Sequence, residues 1–295
     1  MSDLAHTLKE LKPLKGFFIG IDSDGCAFDT MEIKHKECFC PSFITCFGLQ
    51  AVSKYAREAW EFVNLYSKDR GCNRFIAVVR ALDLLRERPE TKARGVKVPS
   101  MDGLRAWLSR ESKLGNPALK AEVERAHDPD LERAYAFSLE VNEAVARMVF
   151  GVPPFPFVRE SLVRMSAQAD VIVVSQTPGE ALAREWKEHG IDGHVRAIAG
   201  QEMGTKTQHI TFAAGGKYPP QRILMIGDAP GDLQAAKDNQ ACFFPVVPGH
   251  EERSWECFHA ESLDRFLSES YAGDYEKKLM EDFDASLPET PSWRR

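Results

Sequence analysis

Hydrophobic residues along the chain fall into two kinds of pattern. Short unbroken runs occur at Phe17-Phe18-Ile19-Gly20-Ile21, Val171-Ile172-Val173-Val174, Ile223-Leu224-Met225-Ile226 and Cys242-Phe243-Phe244-Pro245-Val246-Val247. A weaker run lies at His194-Val195-Arg196-Ala197-Ile198. Runs of this length without polar alternation suit strands buried on both faces of a parallel sheet. Between them, Val158 to Met165, Glu180 to Glu188 and Gly231 to Lys237 carry apolar residues at helical spacing. Strand alternating with helix predicts a doubly wound α/β domain.

Residues 22–170 separate the first run from the second, far too many for one crossover. Most of that stretch is helical in pattern: Ser53 to Leu65, Asn73 to Arg86, Gly103 to Ser109, Pro117 to His127 and Asp130 to Val149. Asp128-Pro129-Asp130 reads as a helix start, with an acid before the first turn and a proline in it. An all-helical domain is therefore predicted as an insertion behind the first strand, and Gly151-Val152-Pro153-Pro154 marks the return. The expected boundaries are 1–31 and 150–271 for the α/β core, 32–149 for the helical insertion, and 272–295 for a C-terminal helix and tail. Leu287 to Arg295 is polar and broken by proline, and is expected to fray.

Composition narrows the function. A chain of 295 residues buries a large core, and its net charge of -6 argues against a nucleic-acid binder that works by neutralising phosphates. One small phosphorylated metabolite needs only a few local cations and remains compatible. No segment has the length of a membrane span, and the polar start from Met1 to Leu11 has no signal-peptide core, so a cytoplasmic address is expected. The seven cysteines are odd in number and follow no framework spacing. Cys38-Phe39-Cys40 with Cys46 raises the question of zinc, but no CxxC pair is present, and a one-residue gap is poor geometry for two ligands of one metal. Small buried hydrophobes are the better reading.

In parallel α/β sheets, ligands gather at the carboxyl ends of the strands. The first run stops at Asp22-Ser23-Asp24-Gly25, the second at Ser175-Gln176-Thr177, and the third at Gly227-Asp228-Ala229-Pro230-Gly231-Asp232. Three polar clusters thus fall at three strand tips. Asp22 and Asp24 leave an extended segment on the same side, and Gly25 lets the backbone turn away. Two such carboxylates can divide labour as nucleophile and proton donor if a cation holds one ionised. A calcium loop fails, because its fifth, sixth and twelfth places hold Cys26, Ala27 and Ile33. A plain solvated turn stays open at this point. Asp228 and Asp232 suit a magnesium site shared with Asp22, or a helix cap; Ser175 and Thr177 suit a phosphate cradle, or capping hydroxyls. Lys206 can bring an ammonium to the site or remain a surface group.

Together these residues resemble the haloacid dehalogenase superfamily of hydrolases. That family's pattern is DxDG after the first strand, Ser or Thr after the second, a lysine before the fourth, and GDxxxD. The chain matches with Asp22/Asp24, Ser175, Lys206 and Asp228/Asp232, over residues 15–30 and 151–270. The resemblance implies a Rossmann-like core with an inserted helical cap, as in the phosphoglycolate-phosphatase-like and β-phosphoglucomutase-like branches. It implies Asp22 as the nucleophile forming an aspartyl-phosphate, and Asp24 as general acid and then base. Magnesium would be bound by Asp22, Asp228 and the backbone carbonyl of Asp24, with Asp232 in support. Ser175, Gln176 and Lys206 would hold the phosphoryl oxygens.

Two positions depart from the pattern. Cys26 stands where Thr or Val is commoner and is read as a packing residue, and Gln176 stands where Asn is frequent. Asp24 argues for phosphate esters, since a departing halide needs no proton. A phosphomutase keeps the same core residues, and a non-catalytic phospholigand-binding module is the alternative of another class. In the insertion, Arg70, Asn73 and Arg74 are candidates for substrate contact, against the plainer reading of polar groups at a helix start.

Overall fold

The computed structural model describes residues 3–294. The chain divides into two compact units, residues 1–30 with 151–288 and residues 31–150 with 289–295.

The first unit is built on five strands, β1 (Phe17–Ile21), β2 (Ala169–Val174), β3 (Ala197–Ala199), β4 (Ile223–Gly227) and β5 (Cys242–Pro245). They pair in the order β3-β2-β1-β4-β5, all parallel. The sheet explains why the runs are apolar throughout. Ile19, Ile21, Val171, Val173, Leu224 and Ile226 pack on one face with Leu162, Trp186, Trp255 and Phe266. Phe18, Ile172, Val174, Met225 and Phe243 face the other way, against Leu8, Ile210, Ala236 and Phe283. Each strand is covered on both sides, so neither face tolerates polar alternation. The weak fifth run contributes only Ala197 and Ile198 to the three-residue β3, whose edge position needs less apolar surface than the central strands do.

Among its described residues, the regular elements of the second unit are all helices. Its larger helices are Ser53–Leu65, Arg74–Glu87, Asn116–Ala126 and Pro129–Met148. Asn73 caps the second by accepting from the N–H of Phe75 at 3.0 Å. Asp128 caps the last through the N–H groups of Asp130 and Leu131. The core collects Phe43, Trp60, Phe75, Trp107 and Phe137. Cys38 and Cys40 are buried in the same core, and Cys46 donates to Glu140 Oε2 at 3.2 Å. These thiols therefore serve as small core groups.

The C-terminal segment differs from expectation. Helix Asp274–Ser286 belongs to the first unit, and Phe283 and Leu287 are buried in it. Residues 289–294, expected to fray, group with the helical unit instead. Trp293 is the reason. Its ring meets Phe62 edge-on at 5.7 Å and lies 4.3 Å from the Arg88 guanidinium. One aromatic side chain in a polar tail is a weak sequence signal, and beside it Arg294 pairs with Glu87. No described helix is long and apolar enough to cross a membrane.

Candidate active site

The register of β1 against β4 pairs Ile21 with Ile226, and the N–H of Asp22 donates to the Ile226 carbonyl at 3.0 Å. Asp22 is therefore the first residue past the sheet, beside the end of β4, where Asp228 begins the next loop. The chain then turns. Gly25 has φ 76°, the left-handed region open to glycine, and its N–H donates to the Phe28 carbonyl at 2.8 Å. The Ser23 carbonyl accepts from the N–H groups of Ala27 and Phe28, which closes the turn.

Asp232 is brought under the strand tip by a missing side chain. A Cβ on Gly227 would lie 2.3 Å from Asp232 Cβ, so only glycine ends β4 with this helix folded so close. Asp232 Oδ2 accepts from the Ala229 N–H at 3.1 Å, in the first turn of helix Pro230–Asp238. Its other oxygen accepts from Lys206. Lys206 opens helix Lys206–Ala214, whose start is fixed by Thr205 and Gln208 bonding each other's main chain. The ammonium stands 2.6 Å from Asp22 Oδ2 and 2.6 Å from Asp232 Oδ1. Asp22 Oδ1 accepts from the Ser23 N–H at 2.8 Å, so both oxygens of this carboxylate are oriented.

Three carboxylates converge. Oxygens of Asp22, Asp228 and Asp232, all buried, lie within 4.8 Å of one another. Burial lifts the Asp22 carboxyl to about 7, reinforced by the charges of Asp232 and Asp24 and opposed by Lys206. Asp232 is raised as well, by burial first and then by Asp228. Burial works against the Lys206 ammonium, but Asp22 and Asp232 together outweigh it and hold Lys206 above its ordinary value. The ammonium pairs with two of these carboxylates, while Asp228 and, through its charge on Asp22, Asp24 add further negative charge. Such a set of hard oxygen donors with an excess of negative charge fits a divalent cation, and its chemistry suits magnesium or calcium rather than a thiophilic metal.

Asp24 is held differently. Thr177 Oγ1 donates to its Oδ2 at 2.6 Å, and the Thr30 hydroxyl donates to its Oδ1. Ser175 is buried at the end of β2, where its N–H donates to the Ala199 carbonyl and its Oγ accepts from the Thr177 N–H at 3.2 Å. Gln176 fastens this loop. Its amide donates to the carbonyls of Gly204, at 3.0 Å, and Ser175. It ties the loop after β2 to the loop that delivers Lys206. Cys26 is buried, its thiol donates to the Ile226 carbonyl, and burial pushes its pKa well up, in keeping with packing.

The three residues singled out in the insertion serve the helical unit itself. Arg70 is buried and donates to the Leu65 carbonyl at 2.8 Å. Asn73 is a helix cap whose amide also donates to the Leu114 carbonyl. Arg74 donates to Ser138 Oγ and Asn142 Oδ1 at 3.0 and 2.7 Å. One guanidinium nitrogen of each arginine and the Asn73 amide are thus engaged within the helical unit.

Sequence reasoning missed Thr30 and undervalued Thr177, since a hydroxyl at a helix start reads as a cap. It also missed the support beneath Ser23. Trp186 Nε1 donates to Ser23 Oγ at 3.0 Å, and Ser23 Oγ donates to Glu185 Oε2 at 3.1 Å. That side chain leaves the strand tip opposite Asp22 and Asp24, as alternation requires.

No protein-family model matches the chain, and no curated protein matches it in sequence. Solved structures do match. A predicted phosphoglycolate phosphatase from Haemophilus somnus is 14% identical, with 82% of this chain and 93% of that one covered and a TM-score of 0.45. A haloacid dehalogenase-like family hydrolase from Xanthomonas campestris is 12% identical over 88% and 96%, with a TM-score of 0.45. CbbY from Rhodobacter sphaeroides, in complex with phosphate, is 17% identical over 81% and 89%, with a TM-score of 0.43.

Proposed function

We propose that this chain is a magnesium-dependent phosphatase of the haloacid dehalogenase type, acting on a small phosphate monoester. The observation that carries the reading is the Lys206 ammonium bridging Asp22 and Asp232 beside Asp228, at the carboxyl ends of adjacent strands β1 and β4.

Asp22 is the nucleophile. One of its oxygens forms a bond to phosphorus while the ester P–O bond breaks, giving an aspartyl-phosphate. Asp24 gives its proton to the departing alcohol oxygen, then takes one from the water that attacks phosphorus and frees Asp22. Lys206 and the Ser175 hydroxyl hold phosphoryl oxygens and balance their charge. Asp22, Asp228 and the backbone carbonyl of Asp24, with Asp232 in support, would hold magnesium, which would supply positive charge to keep Asp22 ionised and to offset the negative charge of the phosphoryl group. Lys206 orients Asp22 before the substrate arrives, so little rearrangement is needed at the moment of reaction.

The test is turnover of a panel of phosphate monoesters with magnesium and with EDTA. Hydrolysis is expected only with magnesium, and Asp22→Asn should remove nearly all of it while the fold stays intact. Undiminished turnover in that variant would overturn the mechanism.

A further inference from the structure

The Asp24 carboxylate is gripped at both oxygens by hydroxyls from two separate segments. Thr30 reaches it from beyond the turn that follows β1, and Thr177 reaches it from the loop after β2. The Thr177 hydroxyl is the more firmly built of the two. Pro178 follows it and restricts Thr177 to extended conformations. Its N–H is bound to Ser175 Oγ at 3.2 Å, and its carbonyl accepts from the Gln201 N–H at 3.1 Å. Its β-branched side chain has little freedom about χ1. The hydroxyl is therefore fixed before it meets Asp24, and the 2.6 Å contact is a short charge-assisted hydrogen bond.

We propose that Thr177 is a positioning residue for Asp24, locking the acid/base carboxylate to the same loop that carries Ser175. The inference rests on the phosphatase reading for the role of Asp24, but the contact stands apart from it. A carboxylate free to rotate at a strand tip would sample many positions, few of them in line with the leaving oxygen. Held at both oxygens, it keeps one. Because Ser175 and Thr177 share a hydrogen bond, the group that cradles phosphate and the group that aims the proton donor move together.

The experiment has two arms. In the first, a double-mutant cycle on urea stability in EDTA combines Thr177→Val with Asp24→Ala. The two effects are expected not to add, because either change alone removes the bond. In the second, Thr177→Val is assayed in magnesium. The value of kcat for an alkyl phosphate, a poor leaving group, should fall about tenfold, and for a nitrophenyl phosphate by less than about threefold. KM should stay within about twofold, and Thr177→Ser should restore most of the loss. An additive cycle overturns the inference and leaves the phosphatase reading intact. So does a rise in KM alone, which would make Thr177 a substrate ligand, or an equal loss on both esters that serine does not rescue. A coupled cycle in a wild-type protein inert toward every monoester would instead overturn the phosphatase reading.

Discussion

Asparagine at position 22 isolates a cost that the site imposes on the fold. Asp22 is almost fully enclosed, and burial with the neighbouring carboxylates lifts its pKa from 3.8 to about 7 against the pull of Lys206. A carboxyl raised on folding favours the native state fully at pH values below 3.8. That advantage is lost as pH climbs to about 7, and above that value the folded protein carries an ionised group it disfavours. At about 1.36 kcal/mol for each pH unit between the two values, the full cost is about 4 kcal/mol. Asparagine keeps the shape without ionising, and Lys206 retains Asp232 as its partner. In EDTA at pH 8, Asp22→Asn should therefore resist urea better than the parent by about 2–4 kcal/mol. The gap should be about half as large at pH 5 and under about 1 kcal/mol near pH 4. Magnesium should narrow it at pH 8, because the parent gains more from the cation. A variant less stable than the parent at pH 8 in EDTA, or a gap independent of pH, refutes the reasoning.

Two other perturbations test how the site and the helical unit are assembled. Gly227→Ala puts a Cβ 2.3 Å from that of Asp232 and should displace it from Lys206 and the Ala229 N–H. Stability should fall by about 2 kcal/mol or more together with the response to magnesium, read by urea denaturation and calorimetric titration, and a variant unchanged in both would contradict the packing. Arg74→Ala removes donors to Ser138 and Asn142 and a cation 5.2 Å from the Phe39 ring. Hydrogen exchange in residues 74–87 and 129–148 should rise with a loss of about 1–3 kcal/mol, whereas unaltered protection would mean that these bonds fasten nothing.

Much of the architecture is legible before any coordinates. The apolar runs are the strands because each is covered on both faces, and the first one needs no adjustment at either end. The helices of the insertion begin near their polar starts, with Asn73 and Asp128 capping as their types suggest. The strand-tip carboxylates are legible for the same reason, since a parallel sheet brings the ends of its strands together. Contacts that depend on distant partners are not. Lys206 meets Asp22 across 184 residues, and nothing in its own neighbourhood says so. Thr177 meets Asp24 across 153. Arg74 reads as a candidate for an anion because its acceptors lie on a helix 64 and 68 residues further on. Gln176 has the right place for a phosphate contact, but its longer side chain reaches the Gly204 carbonyl.

The helical unit is not a module that two cuts can lift out. A fragment of residues 31–150 would carry Arg88, nearly inaccessible at 4% exposure, with Glu58 at 2.5 Å and the Tyr55 ring at 4.8 Å, but without the Trp293 ring that lies on its guanidinium. Phe62 would lose its edge-on neighbour in the same stroke. Transplanting this insertion into another scaffold therefore requires the distant indole to travel with it, by circular rearrangement or by a grafted peptide. A swap that respects only the two obvious junctions leaves a charged group opened to water and an aromatic face bare, which favours self-association over function.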